Sequence, residues 1–498
     1  METQAERDGF SILDLHVRAY DPEVTVSYFQ DLNLLQIIDK LTARWGKKIK
    51  SYYRYLPGTP EEEAYRRAVY CDIKKDSVYA ALMSFTEDLE NVDKLRKEKK
   101  KVYNLKQRAV WQIRETESYI TAYEKLEKEL EQEELSSEGM TAFLQILKDI
   151  QGSEEYRRIR EQTKAVLAKI KELRFIITYD KDRISVTLGE LPEEGAYPEM
   201  RGSLQNPFIA DPYLTELENA CLDILTKKKA DFFRELEGTA ALCEAAKKTV
   251  LDRFEKEVLF YLSFRTLQLD MEKEGFCFST PVTAEKNKME AEGLYDLALA
   301  LTSLSTGKKV IPNDFQYKEG DRFFVLTGPN QGGKTTFARS LGQLVYFSRI
   351  GLDVPARSAA VPFFPDIQTH FSVEESVETG RGKLKEELIR LAPMMEENRK
   401  GTFVIINELF TTAASYDATI MGKKVLEHFT ALGCMGIYVT HLKELSEGID
   451  GVVSMRAMLD DNRVQTFKIK RGVAEDIPCA ENVVNKYRLT YEQLKERL

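Results

Sequence analysis

Along this chain the spacing of apolar residues changes character once, near Gly275. Before that point it is mostly helical. From Ser27 to Trp45 the residues Tyr28, Leu32, Leu34, Leu35, Ile37, Ile38 and Leu41 predict an amphipathic helix or helix pair. Tyr52 to Pro60 is a break, and Thr59-Pro-Glu-Glu-Glu reads as a helix start. The pattern then stays helical to about Leu135, turns at Ser136-Ser-Glu-Gly139, and resumes from Thr141 to Leu173. Two β-rich runs, Arg174 to Tyr179 and Arg183 to Leu188, flank Asp180-Lys-Asp182 and predict a hairpin. Leu191 to Pro212, rich in Gly, Pro and polar residues, reads as a linker. Leu214 to about Met271 is again long amphipathic helix. After Gly275, short apolar runs alternate with helical stretches under Gly and Pro punctuation, the rhythm of an α/β domain. The expected organisation is a mainly α region over 1–275, with a small β element near 174–188, followed by an α/β domain over 276–498.

The second half carries the chemistry. Gly328-Pro-Asn-Gln-Gly-Gly-Lys-Thr335 fits G-x-x-x-x-G-K-[ST]. It follows an apolar strand, Arg322 to Thr327, and opens a helix from Thr336 to Tyr346, the context a phosphate-binding loop needs. Backbone N–H groups of Gly328, Pro329's neighbours Asn330, Gln331, Gly332 and Gly333, and the helix start at Lys334, Thr335 and Thr336 would wrap phosphates. Lys334 would reach the β- and γ-phosphates of ATP, and the Thr335 hydroxyl would bind Mg²⁺. A second buried-strand run ends in Asn407-Glu408. There Asn407 takes the metal-ordering position with an amide, which lacks the charge that helps hold a cation, and Glu408 is the candidate general base. A third run ends in Thr440-His441, placing an imidazole where a γ-phosphate or its attacking water would lie. The other histidines, His16, His370 and His428, read as structural or exposed.

Composition narrows the partners. The chain of 498 residues has a net charge of −9, so nucleic-acid binding would need a local basic patch. Lys94-Leu-Arg-Lys-Glu-Lys-Lys-Lys101 is one such cluster, readable either as a solvated helix face or as a phosphate-backbone contact. Six scattered cysteines without C-x-x-C read as reduced packing thiols. No signal or transit composition is evident and no apolar run is long enough to span a bilayer, so the cytoplasm is the expected compartment and no membrane partner is expected.

In this order, the motifs resemble the MutS family of DNA-mismatch-repair ATPases. Thr327 to Thr335 is similar to T-G-P-N-M-G-G-K-S, Gly351-Leu-Asp-Val-Pro-Ala356 to G-x-x-V-P-A, and Val439-Thr-His441 to A-T-H. Ser415-Tyr-Asp417 corresponds to the end of D-E-x-G-R-G-T-S-T-x-D-G. The resemblance is strong over roughly 290–470 and looser over the helices, where Phe29 to Leu34 and Phe254 to Asp270 look like core and lever segments. It implies an ABC-type ATPase domain with ATP and Mg²⁺ as ligands, a homodimer, and DNA as the object gripped. It also implies that Val310 packs on the adenine and that Asn313 belongs to the nucleotide site. Three departures stand out. Asn407 replaces an Asp, Phe410-Thr-Thr-Ala-Ala414 replaces G-R-G-T-S, and Gly380-Arg-Gly-Lys-Leu384 stands where the family has G-R-S-T-F. Gly382 thus replaces a Ser that completes the partner subunit's ATP site, with Lys383 as a candidate electrostatic substitute and Glu387 matching the Glu of the same helix. Nucleotide binding is expected to survive these changes, and efficient hydrolysis is not. The chain starts in lever-type helices, without the family's Phe-x-Glu mismatch reader, and ends without an Smr nuclease domain. The expected form is therefore short, with the helical tail from Asn482 to Leu498 helping to join two ATPase domains. An ATP-gated dimerisation module acting on a protein partner is the alternative.

Overall fold

A computed structural model describes residues 9–21, 26–46, 49–172, 175–180, 183–188, 213–245, 249–371, 382–396, 399–473 and 495. The expected linker at 191–212, and the tail at 482–498 apart from residue 495, lie outside the described residues. In chain order the helices are α1 (Tyr28–Asp31), α2 (Leu34–Thr42), α3 (Lys50–Arg54), α4 (Pro60–Ile73), α5 (Asp76–Lys99), α6 (Leu105–Glu131), α7 (Glu138–Gly152) and α8 (Glu154–Glu172). A hairpin of β1 (Phe175–Asp180) and β2 (Arg183–Leu188) follows, then α9 (Glu216–Lys228), α10 (Ala230–Ala245) and α11 (Thr249–Lys273). The remainder alternates: β3 (Val282–Thr283), β4 (Met289–Leu294), α12 (Leu297–Thr306), β5 (Asn313–Tyr317), β6 (Phe323–Thr327), α13 (Lys334–Arg349), β7 (Ser358–Val361), β8 (Ile367–Phe371), α14 (Lys383–Glu396), β9 (Phe403–Asn407), α15 (Ser415–Ala431), β10 (Met435–Val439), β11 (Val452–Leu459) and β12 (Gln465–Arg471). No helix among the described residues is long and apolar enough to cross a membrane.

Two compact units emerge, Met1–Val17 with Cys71–Val258, and Arg18–Tyr70 with Leu259–Leu498. The composition change at Gly275 does not coincide with them, because residues 18–70 group with the α/β half.

The first unit is helical, with the small hairpin. On α6 the residues Ala109, Val110, Ile113 and Ile120 form one buried stripe, the 3.6-residue period expected of a core-facing helix. That stripe shares a core with Val166 and Ile170 of α8, Leu222 of α9 and Leu236 of α10. The β1–β2 pairing is antiparallel, from Phe175 opposite Leu188 to Asp180 opposite Arg183, as the sequence predicts. Three basic side chains of the 94–101 cluster have carboxylate partners in the same unit. Arg96 donates to Glu115 at 2.9 Å and to Asp93 at 2.7 Å, Lys99 to Glu115 at 2.5 Å, and Lys101 to Glu98 at 2.7 Å. Near the N-terminus, Ser11 Oγ and the Ile12 N–H both donate to the buried Glu257 carboxylate at 2.9 Å.

The second unit is built on a six-stranded sheet of order β12-β11-β6-β10-β9-β8, parallel except for the β11–β12 pair. Every residue of β6, β9 and β10 is buried. That is why these runs read as unbroken apolar stretches: a parallel strand with both faces covered has no polar side to alternate. A four-stranded sheet, β3-β7-β4-β5, lies in the same unit. The predicted helix pair at 27–45 breaks at Asn33, a non-glycine residue at φ 56°. This segment docks on α13: Arg339 Nε donates to Asp31 O at 2.9 Å and Gln343 Nε2 to Leu32 O at 3.0 Å. At the far end of α13, Arg349 is fully buried. It donates to the carbonyls of Pro57 and Phe364, with the Glu63 carboxylate 3.3 Å away.

Candidate functional site

The sheet's carboxyl ends bring the sequence motifs together. Leu326 of β6 pairs in register with Val439 of β10, and Val439 with Asn407 of β9. The loops that leave these three strands therefore start at one level. β10 lies between the other two, so the Asn407 strand is one place removed from the phosphate-loop strand.

The loop after β6 is shaped for a bound anion. Gly333 precedes α13 at φ 87°, a left-handed conformation that favours glycine, and no side chain caps the helix. The uncapped N–H groups of its first turn are thus available to phosphate. Lys334 is 5% exposed and donates to the loop carbonyls of Gly328 at 2.9 Å and Pro329 at 3.0 Å. Burial lowers its pKa, and the nearby Glu408 carboxylate opposes that shift. An ammonium held on two neutral carbonyls in a half-enclosed site is poised to exchange them for phosphate oxygens.

Thr335 Oγ1 donates to Asn407 Oδ1 at 3.1 Å. No group of three or more His, Cys, Asp or Glu side chains able to hold a metal occurs among the described residues. Two neutral oxygens suit a Mg²⁺ ion whose charge is met mainly by phosphate oxygens, and do not suit one held by the protein alone. Glu408 follows at φ 56°, with its N–H bonded to Val439 O at 2.9 Å, and its carboxylate stands 3.4 Å from His441 Nε2. Both side chains are partly open, 33% exposed for Glu408 and 47% for His441. An acid–imidazole pair at the mouth of a phosphate loop can orient and deprotonate a water.

A cavity of about 380 Å³ opens here. Asn330, Gln331, Gly332, Gly333, Lys334, Thr335, Thr336, Glu408 and Asn313 line it. Asn313 has an unexpected task. Its amide donates to Phe467 O at 3.1 Å and accepts from the Ile469 N–H at 2.8 Å, tying β5 to β12. Val310 is only half-buried and is not among the lining residues; the neighbouring Ile311, with Lys308 and Lys309, lines the cavity instead. Gly382 is likewise absent from the lining, and a Cβ there would meet nothing within 4 Å. Gly380, Arg381 and the side chain of Lys383 lie outside the described residues. Sequence reasoning missed Phe467, whose ring borders the cavity 3.4 Å from where a Cβ on Gly333 would lie. Nothing local marks that residue, because strand pairing across 154 positions delivers it. The remaining histidines are structural or exposed: His370 is buried, His428 sits 3.0 Å from Met395 O, and His16 is exposed.

Residues 324–479 match the family model described as MutS domain V. The likeness of this chain to the MutS family rests on this domain. Three relatives, each named DNA mismatch repair protein MutS, show how far the likeness extends. The Fervidobacterium nodosum protein is 29% identical over 172 residues, 33% of this chain and 21% of its own length. The Thermotoga sp. (strain RQ2) protein is 25% identical over 266 residues, 52% of this chain and 32% of its own length. That of Thermotoga neapolitana is 24% identical over 329 residues, 64% and 39% of the two chains. The matches thus take in less than two fifths of each relative. The phosphate loop, the Asn407-Glu408 strand end and the Thr440-His441 strand end all lie within the matched segment, on one six-stranded sheet.

Proposed function

We propose that this protein is a MutS-like ATPase associated with DNA in repair or recombination, working as a homodimer with nucleotide between facing ATPase domains. The observation that carries the reading is the convergence of Lys334, Thr335, Asn407, Glu408 and His441 at the carboxyl ends of neighbouring strands. Lys334 and the first turn of α13 bind the triphosphate, Thr335 and Asn407 receive the cation that accompanies it, and Glu408 takes a proton from water while His441 fixes the carboxylate. Mg²⁺, when bound with the nucleotide, neutralises phosphate charge. On this reading Gly382 and Lys383 open a helix that faces the partner's nucleotide, and the long helices over 1–275 carry closure of the dimer to the object they grip. The curated relatives are named for DNA mismatch repair, which motivates DNA as that object.

A second reading is an ATP-gated dimerisation module with a protein partner and little turnover. Two observations favour it: the neutral Asn407, and the internal pairing of Arg96, Lys99 and Lys101 in the cluster best placed to meet phosphates. ATPase rate and dimer state of the purified protein, measured with and without duplex and branched DNA, separate the two. Salt-sensitive DNA binding supports the first reading, and absence of binding at low salt with or without ATP sinks it. ATP-dependent dimerisation without DNA binding supports the second. Lys334→Ala abolishes ATP binding under both.

A further inference from the structure

The loop after β9 carries two non-glycine residues in the left-handed region, Glu408 at φ 56° and Phe410 at φ 62°. Such a conformation persists only where its surroundings hold it. One hold is local, the Glu408 N–H bonded to Val439 O at 2.9 Å. The other comes from α14. The Glu387 carboxylate, 3% exposed, accepts a hydrogen bond from the Phe410 N–H at 3.1 Å. Leu409 and Phe410 are themselves buried in a core that includes Leu391 and Met394 of the same helix. The helix is fixed in turn: Glu387 O lies 3.2 Å from His370 Nε2, and Arg390 donates to Phe371 O at 2.9 Å. Glu387 does not line the nucleotide cavity, so its effect on the site passes through the loop.

We propose that Glu387 is a positioning residue that sets the backbone of the Glu408 loop and couples it to the orientation of α14. The inference rests on the reading above, in which Glu408 is the general base and the start of α14 meets the partner's nucleotide. Both ends of the coupling are then functional. A shift of α14 against the partner's ATP moves the Phe410 N–H, and with it the carboxylate two residues earlier. The two composite sites of a dimer exchange information through one buried carboxylate in each subunit.

The experiment uses the full chain with Glu387→Ala, Glu387→Gln and Glu408→Ala. Single-turnover hydrolysis and the affinity for a fluorescent ATP analogue are read together with amide exchange over 408–413 and 383–391. Glu387→Ala is expected to slow hydrolysis at least ten-fold, to change analogue affinity less than three-fold and to speed exchange over 408–413. Glu387→Gln keeps an oxygen acceptor and restores the rate to within about three-fold of the parent. In the Glu408→Ala background Glu387→Ala adds no further loss, the non-additivity expected of residues acting as one unit. Hydrolysis by Glu387→Ala within two-fold of the parent overturns the proposal, as does a Gln variant as slow as the Ala variant. Should the parent bind the analogue yet hydrolyse nothing, the hydrolytic reading fails on its own. The coupling is then decided by exchange. Saturating nucleotide must alter both segments in the parent and only 408–413 in Glu387→Ala, and unchanged exchange over 408–413 in that variant overturns it.

Discussion

At Asn407 the exchange of a carboxylate oxygen for an amide nitrogen leaves the hydrogen bond from Thr335 in place and removes the charge that would attract a cation. The bond at 3.1 Å brings the two candidate metal-ordering side chains, Thr335 and Asn407, together. Asn407→Asp should therefore raise Mg²⁺-dependent turnover by about ten-fold or more, on the scale of 1.4 kcal/mol for each factor of ten. Steady-state ATPase assays over a Mg²⁺ titration check it, and an unchanged rate would remove the metal role from this position. Glu408→Ala should lower any turnover by about 10²-fold or more, the usual contribution of a positioned base. Residues within a contiguous motif, such as Lys334 and Thr335, were legible because the chemistry dictates their spacing. Phe467 was not, since it arrives through the strand pairing that the Asn313 amide helps to make. Val310 was placed by resemblance alone, and its neighbour Ile311 lines the cavity.

Elements follow the same division between local and distant causes. The strands of the six-stranded sheet that bear the motifs are visible as apolar runs, and the helices by their period, because both patterns are short-range. Strand order is not, so β10 lying between β6 and β9 emerges only in the fold. Nor does the sequence announce that α13 carries the docking site for residues 28–42. A Cβ added at Gly342 would lie 2.5 Å from Leu32 Cδ2 and 2.7 Å from Ile405 Cδ1. The glycine lets the helix approach both the sheet and the earlier segment. Gly342→Ala overpacks this contact and should destabilise the second unit by about 1–3 kcal/mol. Chemical denaturation should show that loss, while Gly382→Ala, with open space around it, should leave stability unchanged.

For the whole molecule, two buried titratable groups act in opposite senses. Burial pushes the Glu257 carboxyl up to about 7, against the hydrogen bonds from Ser11 and Ile12. Its protonated form is favoured in the folded state, so its contribution is fully present below pH 4.5 and is lost as pH rises through 7. The swing is about 3 kcal/mol at most. Burial, reinforced by Arg390, pulls His370 down to about 4. Its neutral form is favoured in the folded state, so that contribution is present above pH 6.5 and is lost as pH falls through 4. Glu257→Gln should therefore stabilise the first unit at pH 8 and change it little at pH 4. His370→Gln should flatten the acid loss of the second unit. Amide exchange resolved by unit across pH 4–8 tests both, and parallel pH profiles for parent and variant would refute the assignment concerned.

The grouping of residues 18–70 with 259–498 has a consequence for synthesis. As the chain leaves the ribosome, Leu32 and the carbonyls of Asp31 and Tyr53 emerge long before α13, which contacts all three, is made. Between Tyr70 and Arg349 lie 278 residues. At the usual 5–20 residues per second the wait is about 15 to 55 s. The intervening segment has its own core and can fold in that interval. A nascent-chain protease assay should find residues 18–70 cleavable until α13 is exposed outside the tunnel, which makes this stretch the natural client of a holdase during translation.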